Sequence, residues 1–195
     1  MKSNLFFEGP VRTGKSSVLR QTLLPRLADL GGFVVQRLVD PMGNAVAYQL
    51  VSLDEIRRLG EKGKALFLSV DGPYSPAISQ EQNGIFLWSS PRRIQLDVFE
   101  AIGVDSLQCH ARNKIILLDE IGGVDLMSPR FRERLIDVLH CTTPCLGIIK
   151  ELEKARDAQS LNRELRALLT VNHLSSGDLS KVPDQVHSFL HSNGV

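Results

Sequence analysis

The segment Gly9–Ser17 reads GPVRTGKSS and directly follows the apolar run Leu5-Phe6-Phe7. It matches the Walker A pattern, GxxxxGK[ST], at every fixed position. These fixed positions are Gly9, Gly14, Lys15 and Ser16. The residues behind the segment, 18–30, carry apolar side chains at the three- and four-residue spacings of a helix. This order of strand, loop and helix is the one that a phosphate-binding loop requires.

Each fixed position of this loop has a chemical reason. Gly9 and Gly14 allow backbone conformations closed to residues with a Cβ, so that successive N–H groups can turn inward around an anion. Lys15 can place an ammonium against the β- and γ-phosphates, and Ser16 can offer its hydroxyl to Mg²⁺. The helix begins there with its positive dipole end toward the phosphates. We predict nucleotide contacts from the whole loop: Gly9, Pro10, Val11, Arg12, Thr13, Gly14, Lys15, Ser16 and Ser17.

Length and composition limit the other possibilities. With 195 residues and 43% hydrophobic content, the chain can bury a sizeable core as one domain over residues 1–195. Its 23 Lys and Arg against 22 Asp and Glu give a net charge of +1, which does not indicate a nucleic-acid partner. Its apolar runs fall far short of the ~20 residues that span a bilayer, and the amino terminus lacks a signal-peptide core. We expect a soluble, cytoplasmic protein without a membrane partner, and the sequence leaves protein partners open.

The rest of the chain alternates between strand and helix patterns. Gly31-Gly32 is expected to end the first helix, and the β-rich runs 33–39 and 45–51 around Pro41–Asn44 predict a hairpin. The sequence further predicts a strand over 65–70, a polar loop over 71–83 and a helix over 97–111 that Gly103 can interrupt. The remaining predictions are a helix from Ser128-Pro129 through His140, a strand over 144–149, a helix over 155–168, a strand over 169–174 and a terminal helix around 186–190.

A second candidate site ends the apolar run 114–120, KIILLDE. Such a run is typical of a buried parallel strand, whose carboxyl end meets the ligand in α/β proteins. Asp119 can hold Mg²⁺ through its water shell opposite Ser16, while Glu120 can orient and deprotonate the water that attacks the γ-phosphate. Strands also end in solvated acids, but a phosphate loop about a hundred residues upstream favours catalysis. We predict Lys15 and Glu120 as catalytic residues and Ser16 and Asp119 as the metal site. Further nucleotide contacts are predicted from Leu118, Asp119, Glu120, Ile121 and Gly122.

These segments resemble a known family, the small P-loop nucleoside-triphosphatases that include the cancer-related nucleoside triphosphatase of vertebrates and its thermostable prokaryotic relatives. The segments that carry the resemblance are GPVRTGKS at 9–16, GGFVVQRLVD at 31–40, AVAYQLVSL at 45–53, Phe99-Glu100, LLDEIGGVDLMSPRF at 117–131 and PCLGII at 144–149. The resemblance implies an α/β P-loop fold, with a mostly parallel sheet flanked by helices and an early β-hairpin insertion. It also implies Mg²⁺-dependent hydrolysis of nucleoside 5′-triphosphates, such as ATP and GTP, to the diphosphate and phosphate.

The chain departs from the family pattern at specific places. Gly123 and Asp125 stand where the family usually has a lysine and then a glutamate, which puts any contact of that lysine in doubt. Residues 71–93 and those beyond 150 match poorly, so the preferred base cannot be carried over. Five arginines near the two motifs are candidates for an arginine finger, although solvated positions explain each of them more simply. They are Arg92, Arg93, Arg130, Arg132 and Arg134.

Two other functions remain open at this point. The first is a nucleoside or small-molecule kinase, in which Glu120 or a neighbour deprotonates an acceptor hydroxyl held under residues 71–91. The second is a regulatory module that binds nucleoside triphosphates and whose slow hydrolysis only times partner binding. The sequence shows no arginine-rich lid of the kind usual in nucleotide kinases, which favours hydrolysis.

Overall fold

The computed structural model describes residues 4–74, 84–108, 113–155, 158–175 and 177–195. Within these ranges nine strands form a single sheet. The strands are β1 (Leu5–Glu8), β2 (Leu30–Val39), β3 (Ala45–Ser52), β4 (Asp71–Pro73), β5 (Ile85–Ser89), β6 (Arg92–Ile94), β7 (Ile115–Ile121), β8 (Cys145–Ile149) and β9 (Thr170–His173).

Five neighbouring strands form the parallel part of the sheet, in the order β2-β7-β8-β1-β9. β7 and β8 are buried almost throughout, which is why their sequences read as continuous apolar runs. Alternate β7 side chains enter different core clusters: Ile116 and Leu118 enter one, Ile115 and Leu117 the other. Because β8 lies between β7 and β1, the carboxyl ends of these three strands lie side by side at one end of the sheet.

Helices cover both faces of the sheet, and none in the described ranges is long and apolar enough to cross a bilayer. α1, α2, α3 and α7 pack on the core cluster that contains Leu117, and α5 and α6 pack on the one that contains Leu118. The mostly parallel α/β architecture predicted from the sequence is confirmed. The helices are α1 (Lys15–Leu23), α2 (Leu53–Arg58), α3 (Glu61–Leu68), α4 (Val104–Ser106), α5 (Pro129–His140), α6 (Gln159–Arg166) and α7 (Val182–Ser192).

The predicted early hairpin is present as β2 and β3, which pair antiparallel from Phe33 opposite Ser52 to Val39 opposite Ala45. β2 also belongs to the parallel set, because its first half pairs with β7. β5 and β6 extend the antiparallel side beyond β3. The hairpin therefore widens the sheet on the side away from β1 and β9.

Some predicted elements are wrong. Gly31 and Gly32 lie inside β2 rather than at a helix end. Gly32 permits the close approach of β7, because a Cβ at this position would lie 2.0 Å from the Leu117 carbonyl oxygen. The predicted strand over 65–70 is mostly α3, because a short apolar run lacks the periodicity that separates helix from strand. Residues 71–73 form β4 on β2 rather than a loop, and 75–83 lie outside the described residues.

The helix predicted over 97–111 is right only in part. A π-helical turn (Phe99–Gly103) leads into the single turn α4, and residues 109–112 lie outside the described ranges. Gly103 packs tightly against the Phe131 ring, since a Cβ there would lie 2.7 Å from its Cδ2. The helix at Pro129, the strands around 144–149 and 169–174, the helix within 155–168 and the terminal helix are confirmed as α5, β8, β9, α6 and α7.

Candidate active site

The phosphate-loop segment lies between a strand and a helix, as its sequence predicts. β1 ends at Glu8 and α1 begins at Lys15, with Gly14 as the N-cap residue at φ 95°. Gly9 has φ 150°, and a Cβ on it would lie 2.2 Å from the Leu174 carbonyl oxygen. Arg12 is a non-glycine residue in the left-handed region, with φ 63°. The loop therefore turns back tightly at the amino end of α1, where backbone N–H groups favour an anion.

Lys15 lies over this loop. Its Nζ donates to the carbonyl oxygens of Gly9 at 2.8 Å and Pro10 at 2.5 Å, and it contacts Thr13 Oγ1 at 3.3 Å. Burial lowers the pKa of Lys15, and the carboxylates of Glu120 and Glu151 oppose that shift. The Lys15 ammonium in the loop therefore interacts electrostatically with the Glu120 carboxylate at the end of β7.

The other loop residues differ in exposure. Pro10, Val11 and Arg12 are exposed, whereas Ser16 and Ser17 are half-buried in the first turn of α1. Thr13 Oγ1 donates to the Pro10 carbonyl oxygen at 3.0 Å and closes the loop. The predicted phosphate-contacting residues therefore lie together at the end of β1.

Glu8, immediately before the loop, was not predicted as a site residue. Its carboxylate is 3% exposed and accepts from Arg166 in α6 and from His173 in β9. Two elements close to the carboxyl terminus thus anchor the strand that leads into the loop. A charged residue at the end of an otherwise apolar strand, LFFE, is the sequence signal for this anchor.

The end of β7 is distorted at the two predicted acidic residues. The pairing of β7 with β8 changes register between Leu118 and Ile121, so that Asp119 and Glu120 lie in a bulge. Glu120 has φ 66°, and among the described residues only Arg12 shares a positive φ without being glycine. Such conformations are disfavoured for residues with a Cβ and occur often at functional sites.

The bulge sends the two acids in different directions. The Asp119 side chain is 1% exposed and that of Glu120 is 40% exposed. Leu118 and Ile121, also predicted to contact nucleotide, have fully buried side chains in the core. Any nucleotide contact from these two residues would therefore come from their backbone.

Asp119 pairs with Arg20, a residue that the sequence analysis missed. The Arg20 side chain is fully buried, and its Nε donates to Asp119 Oδ2 at 2.9 Å. Its two terminal nitrogens donate to the carbonyl oxygens of Val35 at 2.6 Å and Ser69 at 3.2 Å. Arg20 lies three residues before Leu23 and seven before Leu27, so it shares the apolar face of the helix. A charged residue on that face is the sequence signal that could have identified Arg20 as a buried partner.

The residues predicted to hold Mg²⁺ fit that ion. Asp119 Oδ1 is buried and has no hydrogen-bond partner, which leaves one carboxylate oxygen available to a ligand. Ser16 adds a hydroxyl oxygen at the start of α1, and Mg²⁺ prefers few protein oxygens together with water and substrate phosphates. The described residues contain no cluster of three or more His, Cys, Asp or Glu side chains that could hold an ion alone.

The turn after β7 is held by a side chain nearby in the sequence, Asp125, and by a distant one, Asn162. Asp125 accepts from the Gly122 N–H at 3.0 Å and from the Gly123 N–H at 2.6 Å, and burial raises its pKa. Asn162, from α6, donates to the Gly122 carbonyl oxygen at 2.6 Å and the Lys150 carbonyl oxygen at 3.2 Å. The predicted contact residue Gly122 is thus fixed on both sides, by partners that the sequence analysis did not identify.

Lys150, the first residue after β8, fills the space beside Gly123. Its Nζ lies 3.5 Å from Glu120 Oε1, and a Cβ built on Gly123 would lie 3.4 Å from the same Nζ. The Lys150 ammonium therefore lies next to the space that the side chain of any residue other than glycine at position 123 would occupy. Next to it lies a cavity of about 270 Å³, lined by Leu87, Arg92, Gly123, Val124, Lys150, Lys154 and Ala155.

The candidate finger arginines mostly contact other groups. Arg132 donates to the Leu126 carbonyl oxygen at 3.1 Å and Arg134 to the Leu107 carbonyl oxygen at 3.0 Å, so both fasten α5 to its surroundings. The remaining positions are Arg130 Nε at 3.5 Å from Glu100 Oε2, Arg93 stacked 4.5 Å from the Trp88 ring centroid, and Arg92 at the cavity.

The sequence of the chain is similar to those of proteins with an assigned activity. The chain is 28% identical over 144 residues to the nucleoside-triphosphatase THEP1 of Thermotoga petrophila, covering 71% of this chain and 70% of that protein. A THEP1 from a second Thermotoga strain is 27% identical over 144 residues, covering 71% of this chain and 72% of that protein.

Two solved structures share the fold. The crystal structure of THEP1 from the hyperthermophile Aquifex aeolicus has a TM-score of 0.65 at 16% identity, covering 96% of this chain and 98% of that one. The solution structure of a human cancer-related nucleoside triphosphatase has a TM-score of 0.63 at 16% identity, covering 97% and 98%. A family model described as NTPase matches residues 4–182. The chain therefore belongs to the NTPase family, as its sequence motifs predicted.

Proposed function

We propose that the chain hydrolyses nucleoside 5′-triphosphates to the diphosphate and phosphate in a Mg²⁺-dependent reaction. The observation that carries this proposal is Glu120: a partly exposed carboxylate, held in the left-handed region at the end of β7, whose charge acts on the phosphate-loop Lys15. A general base has to lie where a water can approach the γ-phosphate. The partial exposure of Glu120 and its electrostatic effect on Lys15 support this role.

The loop residues bind and neutralise the triphosphate. Backbone N–H groups between Gly9 and Ser16 surround the phosphates, and the Lys15 ammonium exchanges its loop carbonyl partners for β- and γ-phosphate oxygens. Ser16 and Asp119 would hold the ion, Asp119 through Oδ1 because Arg20 occupies Oδ2. When bound, Mg²⁺ supplies positive charge at the β- and γ-phosphate oxygens.

Glu120 completes the reaction by taking a proton. It orients a water opposite the β–γ bridging oxygen and accepts one proton as the water oxygen bonds to the γ-phosphorus. The bond from that phosphorus to the bridging oxygen breaks, and the nucleoside diphosphate leaves with the bond electrons. The proton on Glu120 then passes to solvent or to the phosphate product, which restores the carboxylate.

Phosphate release from ATP and GTP, with Mg²⁺ and no added acceptor, tests this proposal. Glu120→Gln keeps the size of the side chain but removes the base, so we expect kcat to fall by about 10²- to 10⁴-fold. Affinity for Mg-ADP, measured by calorimetry, should stay within about threefold because the loop is intact. Glu133→Gln, at an exposed position on α5, is the matched control and should retain parental kcat. Parental hydrolysis by Glu120→Gln would remove Glu120 from the mechanism.

The cavity beside Lys150 supports one alternative, a small-molecule kinase. Its 270 Å³ could receive an acceptor whose hydroxyl, rather than water, meets the γ-phosphate. The same assay separates the two functions, because a kinase consumes ATP only when an acceptor is present. Phosphate release from ATP without an acceptor favours hydrolysis. ADP formation that requires a nucleoside or another alcohol, with the phosphoryl group on the acceptor and no free phosphate, favours the kinase.

A further inference from the structure

The position of Lys150 follows from the strand order. β8 pairs with β1 on one side, with Phe7 opposite Ile148, and with β7 on the other, with Ile121 opposite Ile149. The residue that follows β8 therefore lies between the strand leading into the phosphate loop and the strand that carries Glu120. A cation at this position can reach a γ-phosphate held between the two.

The Lys150 backbone is fixed from two sides. Its N–H donates to the Ile121 carbonyl oxygen at 2.8 Å, and its own carbonyl oxygen accepts from Asn162 at 3.2 Å. The side chain extends over Gly123, where the absence of a Cβ leaves room for its Cδ and Nζ. This arrangement fixes the backbone from which the ammonium extends toward Glu120, and charge held in place before the reaction stabilises a transition state effectively.

Two lysines act on the same carboxylate. Lys150 Nζ lies 3.5 Å from Glu120 Oε1, and Glu120 also acts on Lys15 from the loop side. When Glu120 accepts the proton of the attacking water it loses its negative charge. The Lys150 ammonium is then no longer compensated by Glu120, at the moment when the transferring phosphoryl group needs positive charge.

We propose that Lys150 is a second catalytic cation, which contacts the γ-phosphate oxygens in the transition state of the hydrolysis proposed above. This inference rests on that proposed function. In related chemistry, a transition-state arginine raises kcat by about 10³- to 10⁵-fold, and one oxyanion donor contributes about 10²- to 10³-fold. A lysine is a point charge without the bidentate geometry of arginine, so the lower range applies here.

The test compares Lys150→Met with Lys114→Met. Lys114 precedes β7 at the opposite end of the sheet, and its Nζ lies 3.4 Å from Asp29 Oδ1, so the control removes a comparable ion pair away from the site. We expect Lys150→Met to lower kcat for ATP or GTP by about 10²- to 10³-fold. Lys114→Met should stay within about twofold, as expected for a surface substitution. Lys150→Arg keeps a positive charge at this position, so its kcat should lie between that of Lys150→Met and that of the wild type.

Binding of a transition-state analogue gives a second readout. Mg-ADP with aluminium fluoride mimics the transferring phosphoryl group, whereas Mg-ADP alone does not. Lys150→Met should weaken binding of the fluoride complex by about the same factor as kcat, because the contact exists only in the transition state, and leave Mg-ADP affinity within about threefold. Lys150→Gln is measured in parallel, in case the methionine variant does not fold.

The outcomes separate this inference from the proposed function. If the wild-type protein releases no phosphate from ATP or GTP, hydrolysis itself fails, and the role of Lys150 fails with it. If the wild type hydrolyses and the Lys150 variants keep parental kcat, only the inference is overturned. A loss of kcat without any loss of fluoride-complex affinity also overturns it, because Lys150 would then act by holding Glu120 rather than by contacting phosphate.

Discussion

The phosphate loop (Gly9–Ser17) and the β7 turn (Asp119–Gly123) lie side by side at the end of the same sheet but are built in different ways. The loop is shaped largely by its own residues: Thr13 and Lys15 bond to carbonyl oxygens only a few positions away. The β7 turn has one local partner, Asp125, and otherwise depends on residues that are close in space and distant in sequence. They are Arg20 from α1, Lys150 after β8 and Asn162 from α6.

This difference predicts different responses to substitution. A change in the loop removes a proposed phosphate contact or a local backbone conformation, so nucleotide affinity should respond first. A change in a residue that holds the β7 turn removes a buried partner, so stability and the chemical step should respond while the loop still binds.

The largest effect is expected at the buried ion pair. Arg20→Met would leave the Asp119 carboxylate uncompensated, in a site where both side chains are at most 1% exposed. It would also remove the donors to the Val35 and Ser69 carbonyl oxygens. Breaking one partner of such a pair lowers the free energy of unfolding by about 3–5 kcal/mol. Urea denaturation measures this loss through the linear dependence of that free energy on denaturant.

Arg58→Met is the matched control for Arg20→Met. Arg58 pairs with Glu55, but the two side chains are 74% and 40% exposed, so the loss should be about 0–1 kcal/mol. A double variant, Arg20→Met with Asp119→Leu, should recover the part of the loss that comes from the unpaired carboxylate, because replacing both members of a buried pair is often neutral. The part that comes from the Val35 and Ser69 carbonyl oxygens should remain. Equal losses in the Arg20 and Arg58 variants would contradict the view that the β7 turn rests on a buried charge.

A smaller effect is expected from Asn162→Ala. This variant removes the donor to the buried carbonyl oxygens of Gly122 and Lys150, and an unsatisfied buried acceptor lowers stability by about 1–3 kcal/mol. Because the bulge at Glu120 loses its support, kcat should also fall, whereas Mg-ADP affinity should change by less than about threefold.

Asn172→Ala provides the comparison for this variant. Asn172 is half-buried and donates to Gln185 Oε1 at 3.1 Å, away from the β7 turn, so kcat should remain parental. Loss of Mg-ADP affinity without loss of kcat in Asn162→Ala would show that the turn and the loop are not independent.

The same division between local and distant partners explains how much the sequence could predict. The strand, loop and helix around Gly9–Ser17 were predictable from the local sequence, because the backbone requirements are met by Gly9, Gly14 and the helix that starts at Lys15. The buried β7 strand was likewise predictable from its apolar run. Arg20 and Asn162 were not, since nothing local to either residue shows which carbonyl or carboxylate it meets after folding.

Two details of the fold show the same limit. The Phe131 ring packs against Gly103 in the π-helical turn Phe99–Gly103, and the Lys150 side chain passes close to Gly123. Both are consequences of contacts across the core or between neighbouring strand ends. The local sequence shows the glycine in each case but not the group that approaches it.

The smallest expected effect lies in the loop and concerns pH. Burial lowers the pKa of Lys15 below its ordinary value of 10.5, even though Glu120 and Glu151 favour the charged form. Below the lowered pKa the ammonium carries its proton with or without nucleotide, so affinity for ADP should not depend on pH. Above it, the unliganded protein has lost a proton that binding must restore, so affinity should fall by up to about tenfold per pH unit, beginning below pH 10.5.

Stability should change in the opposite direction over the same pH range. Between the lowered pKa and 10.5, the unfolded chain keeps the Lys15 proton that the folded protein has released. The unfolded state therefore binds more protons, and the contribution of Lys15 to the free energy of unfolding rises with pH. Lys15→Arg separates both effects from other titrating groups, because a guanidinium stays protonated throughout. A fall in ADP affinity that is as steep in Lys15→Arg as in the wild type would place the titrating group outside the loop.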